Sequence, residues 1–566
     1  MIRHWLSLRA AGVRLTAASR DRVVLPRRHS TATSAAGLPP WPPGDDDAHR
    51  DDINGNDAAD AAAPSSSSSS APPPPLLRAA SLPPPYYTHP SAVELDLSRV
   101  FQPSWLYAGP AAWVENAGDY MTIQGGGALP RAVVVRGPDG ALKAFHNVCR
   151  HRAAPVADRP RGNAKEKGAQ TGCEMAFVCG YHGWTYGPDG RLLRAPRMGG
   201  AERLSPRRLS LAPLDACAVG PLVFVHRRPR EGEAAGNKEQ GAAAAAAAEG
   251  AAGLDAWLGP KGAAAVRAVV SGSYGDAKGG GGGGDATDAP AGPGGFVHVA
   301  RREWRVRCDW KVYADNFLDG GYHVPCAHAG LAAGLDLGTY ASREHGPRVS
   351  VQSVLSSSSS SSSAAAAGAA AGREVGGDDD DDDDDAGASS SRLGRRAAYA
   401  WVFPNVALNR YGPWLDVNAV APDPDAGPGR CVVTFDWFLQ RGAPGAEAAA
   451  AAARFSSSFD VPSALGGPLP PFDEQLRRLP PAVAGALRSS CAVQEEDVAL
   501  CEGVQRGLDE HAASRRRGGG AVYGSPSVGF AAGGEGEPLG GGRYARQEAP
   551  MFHFHRALWA AYTNNR

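Results

Sequence analysis

The residues that decide the fold are CRH at positions 149–151 and CGYH at positions 179–182. Each stretch offers one thiol and one imidazole a short step apart. Two thiolates and two imidazoles suit a two-iron, two-sulfur cluster in which one iron takes both cysteines and the other takes both histidines. The predicted cluster ligands are Cys149, His151, Cys179 and His182.

A structural zinc site is the alternative, because zinc is also bound by two cysteines and two histidines in many small domains. Such sites usually leave two to four residues between paired cysteines and place the two histidines together. Here one residue separates Cys149 from His151, and two separate Cys179 from His182. This spacing favours iron and sulfur over zinc.

Short β-like runs separated by Gly and Pro surround these ligands and predict a small all-β domain over residues 86–228. The runs are Trp105–Tyr107, Tyr120–Gln124, Ala132–Arg136, Leu142–Val148, Phe177–Tyr186 and Leu222–His226. A polar, glycine-containing stretch, Arg159–Gly172, lies between the two pairs of ligands and is expected to bulge from the loop. Cys173 follows it and is interpreted as a bystander.

A second group of candidate ligands lies in DGGYHVPCAH at positions 319–328. Its two histidines, His323 and His328, are five residues apart and close to carboxylates, so they could hold Fe(II). Non-haem oxygenases bind iron through two histidines and one carboxylate on one face and keep the other positions open for dioxygen. Two histidines with a purely structural role are the alternative.

The block that contains this stretch, residues 296–566, mixes strands and helices. Three runs predict strands of one antiparallel sheet: Tyr399–Pro404, Asp416–Val420 and Arg430–Gln440. Three further runs have helical character: Asp309–Phe317, Gln494–Gly507 and Met551–Tyr562, the last as a closing helix. The whole chain is therefore predicted to be of the α+β class.

Low-complexity segments precede and separate the two blocks and interrupt the second one. Such sequences cannot bury enough apolar surface to order themselves, so we expect them to be disordered linkers or solvated surface loops. The expected linkers are 37–85 and 229–295, and the expected disordered insertions lie near 356–391, 443–458 and 512–542.

Bulk composition excludes several classes of protein. Lys+Arg 58 against Asp+Glu 59 leaves almost no net charge, whereas nucleic-acid binders usually carry a basic surplus. Nine scattered cysteines do not form a disulfide framework and indicate a reducing compartment. No apolar run reaches the roughly 18 residues that a membrane-spanning helix needs.

The first 36 residues have the composition of an organelle transit peptide. Residues 1–30 hold seven arginines and a single acid, Asp21, and are followed by a run rich in Ser and Thr. An ordinary disordered N-terminus is the alternative. Composition separates chloroplast from mitochondrial targeting poorly.

Both blocks resemble one protein family. The run Phe145–His151, together with Cys179–Trp184 and the turn Gly187–Gly190, resembles a Rieske domain. The run Asn316–His328 resembles the catalytic helix of Rieske non-haem iron oxygenase alpha subunits, especially plant choline monooxygenases. Two further runs are similar to that group: Tyr399–Trp414 and Glu495–Leu508.

The resemblance implies a fold and a role for several residues. The fold would be a Rieske β domain followed by a helix-grip catalytic domain, an antiparallel sheet around a long helix. His323 and His328 would be imidazole ligands of a mononuclear Fe(II), and Asp497 the third ligand, with Glu496 the neighbour to test if Asp497 fails. Asp319 would carry electrons from cluster to iron across a subunit boundary, a helix-terminal charge being the alternative. Asn316 would position a ligand.

The resemblance also implies a reaction. Choline would be hydroxylated to the hydrate of betaine aldehyde, the first step of glycine betaine synthesis, with dioxygen and reduced ferredoxin. The expected assembly is a homo-oligomer, with a trimer favoured. The expected location is the chloroplast stroma, with the mitochondrial matrix as the alternative. The alternatives in function are another trimethylammonium substrate such as glycine betaine or carnitine, a non-catalytic Rieske electron carrier, and a zinc-stabilised interaction protein. Aromatic side chains that could hold such a cation are Tyr322, Tyr399, Trp401, Phe403, Tyr411, Trp414 and Trp437.

Overall fold

A computed structural model describes most of the chain from Leu82 onward. The described residues are 78–79, 82–125, 128–198, 205–228, 251–275, 295–357, 392, 394–423, 425–455, 470–518, 528–529 and 548–563. All of them lie in one compact unit, Ala35–Arg566. The predicted transit peptide lies outside the described residues, as do most of the linker 37–85 and of the insertions near 356–391 and 512–542.

The N-terminal half is built on a seven-stranded antiparallel sheet in the order β2-β11-β10-β5-β4-β3-β6. The first eleven strands are β1 (Arg78–Ala79), β2 (Leu106–Pro110), β3 (Asp119–Ile123), β4 (Ala132–Arg136), β5 (Leu142–His146), β6 (Arg161–Asn163), β7 (Phe177–Val178), β8 (Thr185–Tyr186), β9 (Leu192–Arg194), β10 (Pro213–Val219) and β11 (Leu222–Arg227). Strands β7, β8 and β9 form a second, three-stranded sheet. The β-sheet domain predicted for this region is confirmed, although helices at Pro90–Leu95 and Ala164–Thr171 lie in the same range and β6, β9 and β10 were not predicted.

The run Phe177–Tyr186 is a hairpin, not the single strand that its composition predicted. Strands β7 and β8 pair antiparallel, and the residues between them form the loop that carries Cys179 and His182. Gly183 allows this reversal because it adopts φ 72°, a left-handed conformation that costs glycine little. The second pair of predicted ligands is therefore presented at the tip of a tight hairpin.

The stretch Arg159–Gly172 is ordered, which corrects the expectation that it bulges from the loop. Its start, β6, adds to the edge of the large sheet by pairing with β3. A helix, Ala164–Thr171, follows, and the Asn163 side chain caps it by accepting a hydrogen bond from the Lys165 amide over 2.9 Å. Polar composition concealed this structure because an edge strand and a surface helix need few apolar residues.

The C-terminal half is built on a second seven-stranded antiparallel sheet, in the order β12-β18-β17-β16-β15-β14-β13. Its strands are β12 (Phe296–Val306), β13 (Leu335–Glu344), β14 (Val349–Ser356), β15 (Arg396–Val402), β16 (Val406–Tyr411), β17 (Trp414–Pro422) and β18 (Cys431–Gln440), and β19 (Val528–Gly529) pairs with β1. The three strands predicted here, β15, β17 and β18, are confirmed as members of one antiparallel sheet, in which β16 lies between β15 and β17.

The helices are α1 (Pro85–Thr88), α2 (Pro90–Leu95), α3 (Ala164–Thr171), α4 (Ala251–Ser271), α5 (Trp310–Leu318), α6 (Val324–Ala327), α7 (Ala329–Ala333), α8 (Ala446–Phe455), α9 (Phe472–Arg478), α10 (Pro481–Arg516) and α11 (Ala549–Thr563), with a π-helix at Asp96–Phe101 and a 3₁₀ helix at Ala111–Val114. Helices α5, α10 and α11 share a hydrophobic core with the sheet, formed around Trp310, Trp401 and Phe554. The long helix α10 (36 residues) against an antiparallel sheet confirms the predicted α+β architecture.

Two segments that were expected to be disordered contain packed helices. Helix α4 lies inside the expected linker 229–295 and buries Leu254, Leu258 and Val266 against the C-terminal sheet. Helix α8 lies inside the expected insertion near 443–458, and its Ala446 and Ala449 are fully buried. Alanine is the strongest helix former, and its small side chain lets a helix pack closely, so an Ala-rich run is ordered where a neighbouring surface covers it.

Two other segments that were expected to be disordered are ordered at one end. The expected linker 37–85 includes Leu82, which is buried in the same core as helix α5. The expected insertion near 512–542 overlaps helix α10, which continues to Arg516. Among the residues described here, no helix is both long and apolar enough to cross a bilayer.

Asp436 joins the two halves of the protein. Its fully buried carboxylate accepts hydrogen bonds from Tyr107 Oη in β2 over 2.8 Å and from Arg301 Nη2 in β12 over 2.6 Å. The His298 ring lies 2.7 Å from the same carboxylate. Burial opposes the charged carboxylate, but Arg301 and His298 outweigh it and hold the pKa of Asp436 well below its usual range. The hydrogen bond from Tyr107 therefore links the β domain to the C-terminal sheet, and the ion pair with Arg301, within that sheet, fixes the carboxylate that accepts it.

Candidate functional site

The four predicted cluster residues come together at the tip of the β domain. Cys149 and His151 follow β5, and Cys179 and His182 lie between β7 and β8. The two cysteines are buried, whereas the His182 side chain is exposed. The two imidazole rings have their centroids 4.6 Å apart. Two thiols and two imidazoles that meet at one end of the domain are the donor set that the predicted cluster requires.

Neighbouring side chains hold these residues in place. Tyr186 Oη lies 3.3 Å from the Cys149 sulfur and accepts a hydrogen bond from the Arg150 amide over 3.0 Å. The Trp184 ring stacks on the His151 ring at 4.9 Å and 5°. Burial and the nearby Cys149 thiol raise the pKa of Cys179, so its thiolate needs a cation beside it.

An iron–sulfur cluster fits this donor set. Nδ1 of His151 is buried and has no hydrogen-bond partner among the described residues. A buried ring nitrogen without a partner is costly, and a metal ion is one of the few partners that would satisfy it. The residues that would hold the cluster are Cys149, Cys179, His151 and His182, and the cluster would supply one electron at a time.

The three residues of the second predicted site meet although 169 positions separate His328 from Asp497. Nε2 of His328 lies 3.1 Å from Nε2 of His323 and 3.1 Å from Oδ1 of Asp497. Nε2 of His323 lies 3.5 Å from the same carboxylate oxygen. All three ligand atoms are within 4.8 Å of one another, close enough for one metal ion to bind them all. Two imidazoles and one carboxylate form the donor set of non-haem Fe(II).

The chain folds locally to bring the two histidines onto one side. Helix α5 begins after Asp309, whose carboxylate accepts a hydrogen bond from the Lys311 amide over 3.0 Å, and it ends at Leu318. The chain then turns through Gly320 and Gly321, which have φ 74° and 73°. A Cβ atom at Gly321 would lie 2.6 Å from the Tyr340 ring, so the turn needs glycine there. His323 and His328 then flank the short helix α6.

Each histidine is held by a carboxylate on its other ring nitrogen. Nδ1 of His323 lies 2.6 Å from Asp319, and Nδ1 of His328 lies 2.6 Å from Glu496. When Nδ1 donates its proton to a carboxylate, Nε2 keeps a lone pair for a metal ion. Asn316 donates a hydrogen bond to Oδ1 of Asp497 over 2.7 Å. Sequence reasoning named Glu496 only as a substitute ligand and missed this contact with His328.

The site strongly favours a bound cation. Burial alone lowers the pKa of His323, but hydrogen bonds to Asp319 and Asp497 raise it to about 10. Asp497 is also buried, yet His323 and His328 lower its pKa to about 2. Without a metal ion the His323 imidazole therefore holds a proton, and a metal ion would take its place.

A cavity opens beside the metal-binding residues. Of the aromatic candidates named from the sequence, Tyr399 and Tyr411 line the cavity. Trp401, Phe403, Trp414 and Trp437 are buried in the packing, and Tyr322 is 51 % exposed. The sequence missed several lining side chains, because they come from α5, β13, β17 and a single residue before β15: Tyr313, Phe317, Tyr340, Arg392 and Asp416.

Two family profiles match the regions of the chain that contain these metal-binding residues. The catalytic domain of ring hydroxylating alpha subunits matches residues 294–564, and the Rieske 2Fe-2S domain matches residues 104–206. The first match contains the residues that surround His323, and the second contains the four cluster residues. The two profiles therefore cover the two candidate metal centres separately.

Individual relatives agree with the profiles. A chloroplastic choline monooxygenase of Arabidopsis thaliana is 32% identical over 84% of this chain and 81% of its own. A glycine betaine monooxygenase oxygenase subunit of Pseudomonas aeruginosa is 34% identical over 25% of this chain and 30% of its own. A solved quaternary ammonium Rieske monooxygenase that oxidises carnitine has a similar fold, with a TM-score of 0.54 and 16% identity, over 86% of this chain and 96% of its own.

Proposed function

Since the chain belongs to the family of Rieske non-haem iron oxygenase alpha subunits, we propose that it hydroxylates a trimethylammonium compound, with choline as its substrate. The product from choline would be the hydrate of betaine aldehyde: one atom of dioxygen enters the C–H bond, and the other leaves as water with two electrons and two protons. The observation that carries the proposal is the meeting of His323, His328 and Asp497 beside a cavity lined by tyrosines. A Rieske electron carrier would need neither the three ligands nor the cavity.

The side chains around the iron site have separate tasks in this proposal. The metal ion, when bound, would supply an open position for dioxygen. Asp319 and Glu496 fix the orientation of the two imidazoles, since each accepts a hydrogen bond from a ring Nδ1. Asn316 keeps one oxygen of Asp497 oriented through its amide. The aromatic walls keep bulk water away from the reacting carbon.

Choline is supported by the plant relative and by the chemistry of the cavity. A trimethylammonium group cannot donate hydrogen bonds, so it is best held by the faces of aromatic rings and by a carboxylate. The Tyr399 and Tyr411 rings both line the cavity and pack edge to face, with their centroids 5.6 Å apart and their planes at 79°. Glycine betaine and carnitine are the second candidates, because relatives in sequence or fold act on them.

Electrons must come from outside the chain. Rieske oxygenases use dioxygen and an electron donor, and they form oligomers. We propose reduced ferredoxin as the donor and a homotrimer as the assembly. Inter-subunit electron transfer is described for the solved quaternary ammonium monooxygenase, and Asp319 would serve that route here. The relatives among plants are chloroplastic, which supports the chloroplast stroma as the proposed location.

The decisive test is turnover by the full chain with both metal centres loaded and reduced ferredoxin as donor. Choline, glycine betaine and carnitine would be offered separately, and the products identified by mass, with His323→Ala as the inactive control. Betaine aldehyde from choline, absent in the variant, is the expected result. Turnover of glycine betaine or carnitine instead would support the proposed reaction class but show that choline is not the substrate. No product from any of them, with a reducible cluster present, would contradict the proposal.

A further inference from the structure

The wall of the cavity contains a buried ion pair that the metal centre does not use. Arg392 and Asp416 both line the cavity, and they are 7% and 1% exposed. Nη2 of Arg392 lies 2.8 Å from each carboxylate oxygen of Asp416. Burial raises the pKa of Asp416, and the arginine opposes that shift. A full negative charge in the cavity wall is thus balanced by a cation of the chain itself.

Aromatic rings surround the same cation. The Arg392 guanidinium lies 4.8 Å from the centre of the Trp414 ring and 5.6 Å from that of Tyr411. Nε of Arg392 is buried and has no hydrogen-bond partner among the described residues. The guanidinium is therefore held mainly by charge and by ring faces, with part of its hydrogen-bonding capacity unused.

Helix α10 connects the Arg392–Asp416 pair to the metal site. Ser490 donates a hydrogen bond to Asp416 over 3.3 Å and sits on helix α10, seven residues before Asp497. Seven residues of α-helix span about 10 Å. A small cation at Asp416 would therefore lie within reach of the metal site, on the same side of α10.

We propose that Asp416, with the Tyr411 ring, is the subsite that binds the trimethylammonium head of the substrate, and that Arg392 occupies it when the cavity is empty. A carboxylate flanked by aromatic faces is the chemistry that recognises a quaternary ammonium, and this site already holds a cation by these means. The trimethylammonium group of the substrate would replace the Arg392 guanidinium beside Asp416, so the buried carboxylate would always have a cationic partner. This inference rests on the proposed function and names the residues that select its substrate.

The test measures binding by calorimetry on the full chain with both metal centres loaded, under anaerobic conditions. The probes are choline and its neutral carbon isostere, in which a tert-butyl group replaces the trimethylammonium group. Asp416→Asn should weaken choline binding roughly tenfold or more and leave the isostere unchanged, because only choline carries the charge. The matched control is Asp423→Asn, which removes another buried carboxylate paired with an arginine just beyond the far end of β17. It should change neither affinity.

A second variant protects the test against loss of folding. Arg392→Met keeps the apolar volume of the side chain and removes its charge, so choline should bind more tightly at alkaline pH while the isostere does not. Equal weakening of both probes by Asp416→Asn would overturn the inference. So would loss of glycine betaine binding in Arg392→Met with choline unchanged, since Arg392 would then bind a substrate carboxylate.

Binding and turnover separate this inference from the proposed function. Charge-selective binding of choline without turnover would support the subsite and overturn the proposed reaction. Turnover of choline with no charge selectivity at Asp416 would support the reaction and overturn the subsite. A wild-type chain that does not bind choline would overturn the subsite.

Discussion

The carboxylate of Glu496 lies 2.6 Å from Nδ1 of His328, although the two residues are 168 positions apart. The adjacent residue on helix α10, Asp497, lies 3.1 Å from Nε2 of the same ring. One turn of helix therefore contacts both nitrogens of His328, one by a positioning carboxylate and one by a candidate metal ligand. Asp319 gives His323 the same support over 2.6 Å.

We predict that Glu496→Ala lowers the affinity for the catalytic iron about 10-fold to 100-fold, because the His328 ring loses the partner that fixes its orientation. Iron content after dialysis against a chelator measures this, and the visible spectrum reports that the cluster is intact. Glu495→Ala is the matched control, since Glu495 is 57% exposed and pairs with Arg302 on the surface. Equal iron loss in both variants would contradict the role of Glu496.

We predict that the two metal centres can be removed independently. Asp497→Ala should lose the mononuclear iron and all turnover while keeping the cluster spectrum, since the cluster residues lie in the other domain. Cys149→Ser should lose the cluster spectrum and keep iron at the second site. Electron paramagnetic resonance of the reduced proteins, with metal analysis, checks both. An Asp497→Ala protein that retains iron would point to Glu496 as the third ligand instead.

We predict that Asp436→Asn destabilises the folded chain by about 3–5 kcal/mol, because it leaves the Arg301 guanidinium buried without its partner. Denaturant unfolding followed by tryptophan fluorescence measures the change. Glu510→Gln is the control, because it removes an exposed pair with Arg517 and should cost less than about 1 kcal/mol. If both variants unfold alike, the buried pair contributes no more to stability than the exposed one.

The same carboxylate predicts a dependence of stability on pH. The folded protein holds the pKa of Asp436 well below its unfolded value of about 4. Its contribution is therefore complete above that unfolded value and is lost as pH falls through the lower, folded pKa. The unfolding free energy of wild type should fall more steeply below about pH 4 than that of Asp436→Asn. Parallel slopes in unfolding experiments at several acidic pH values would exclude Asp436 as the cause.

We predict that Gly321→Ala weakens iron binding and destabilises the protein by about 1–3 kcal/mol. The new Cβ would need a left-handed conformation and would lie 2.6 Å from the Tyr340 ring, so the turn before His323 must move. Thermal unfolding and iron content measure the two effects. Gly330→Ala is the control, because nothing lies within 4 Å of a Cβ placed there. A Gly321→Ala protein with normal iron content would show that the turn tolerates a side chain.

Much of the cluster site could be predicted because its information is local. Cys149 and His151 are only two positions apart, so a single turn of the chain brings them together. Their thiol and imidazole groups are ligands that suit a two-iron, two-sulfur cluster. The helix that carries Asp497 was also predicted, but its place beside His328 was implied by family resemblance alone. Composition misjudged the Ala-rich helices α4 and α8, because the same run is disordered alone and ordered under a neighbouring sheet.

By itself, the sequence identified the thiol and imidazole groups of the two candidate metal centres, since the members of each pair lie within a few positions of each other along the chain. It also determined the α+β class through alternating and helical patterns of apolar residues. Only the tertiary structure decided which distant residues meet. Glu496 reaches His328, and Arg392 reaches Asp416, because α5 and α10 pack against the sheet and bring separate elements to one cavity. No local pattern encodes such meetings, because they depend on the packing of the whole chain.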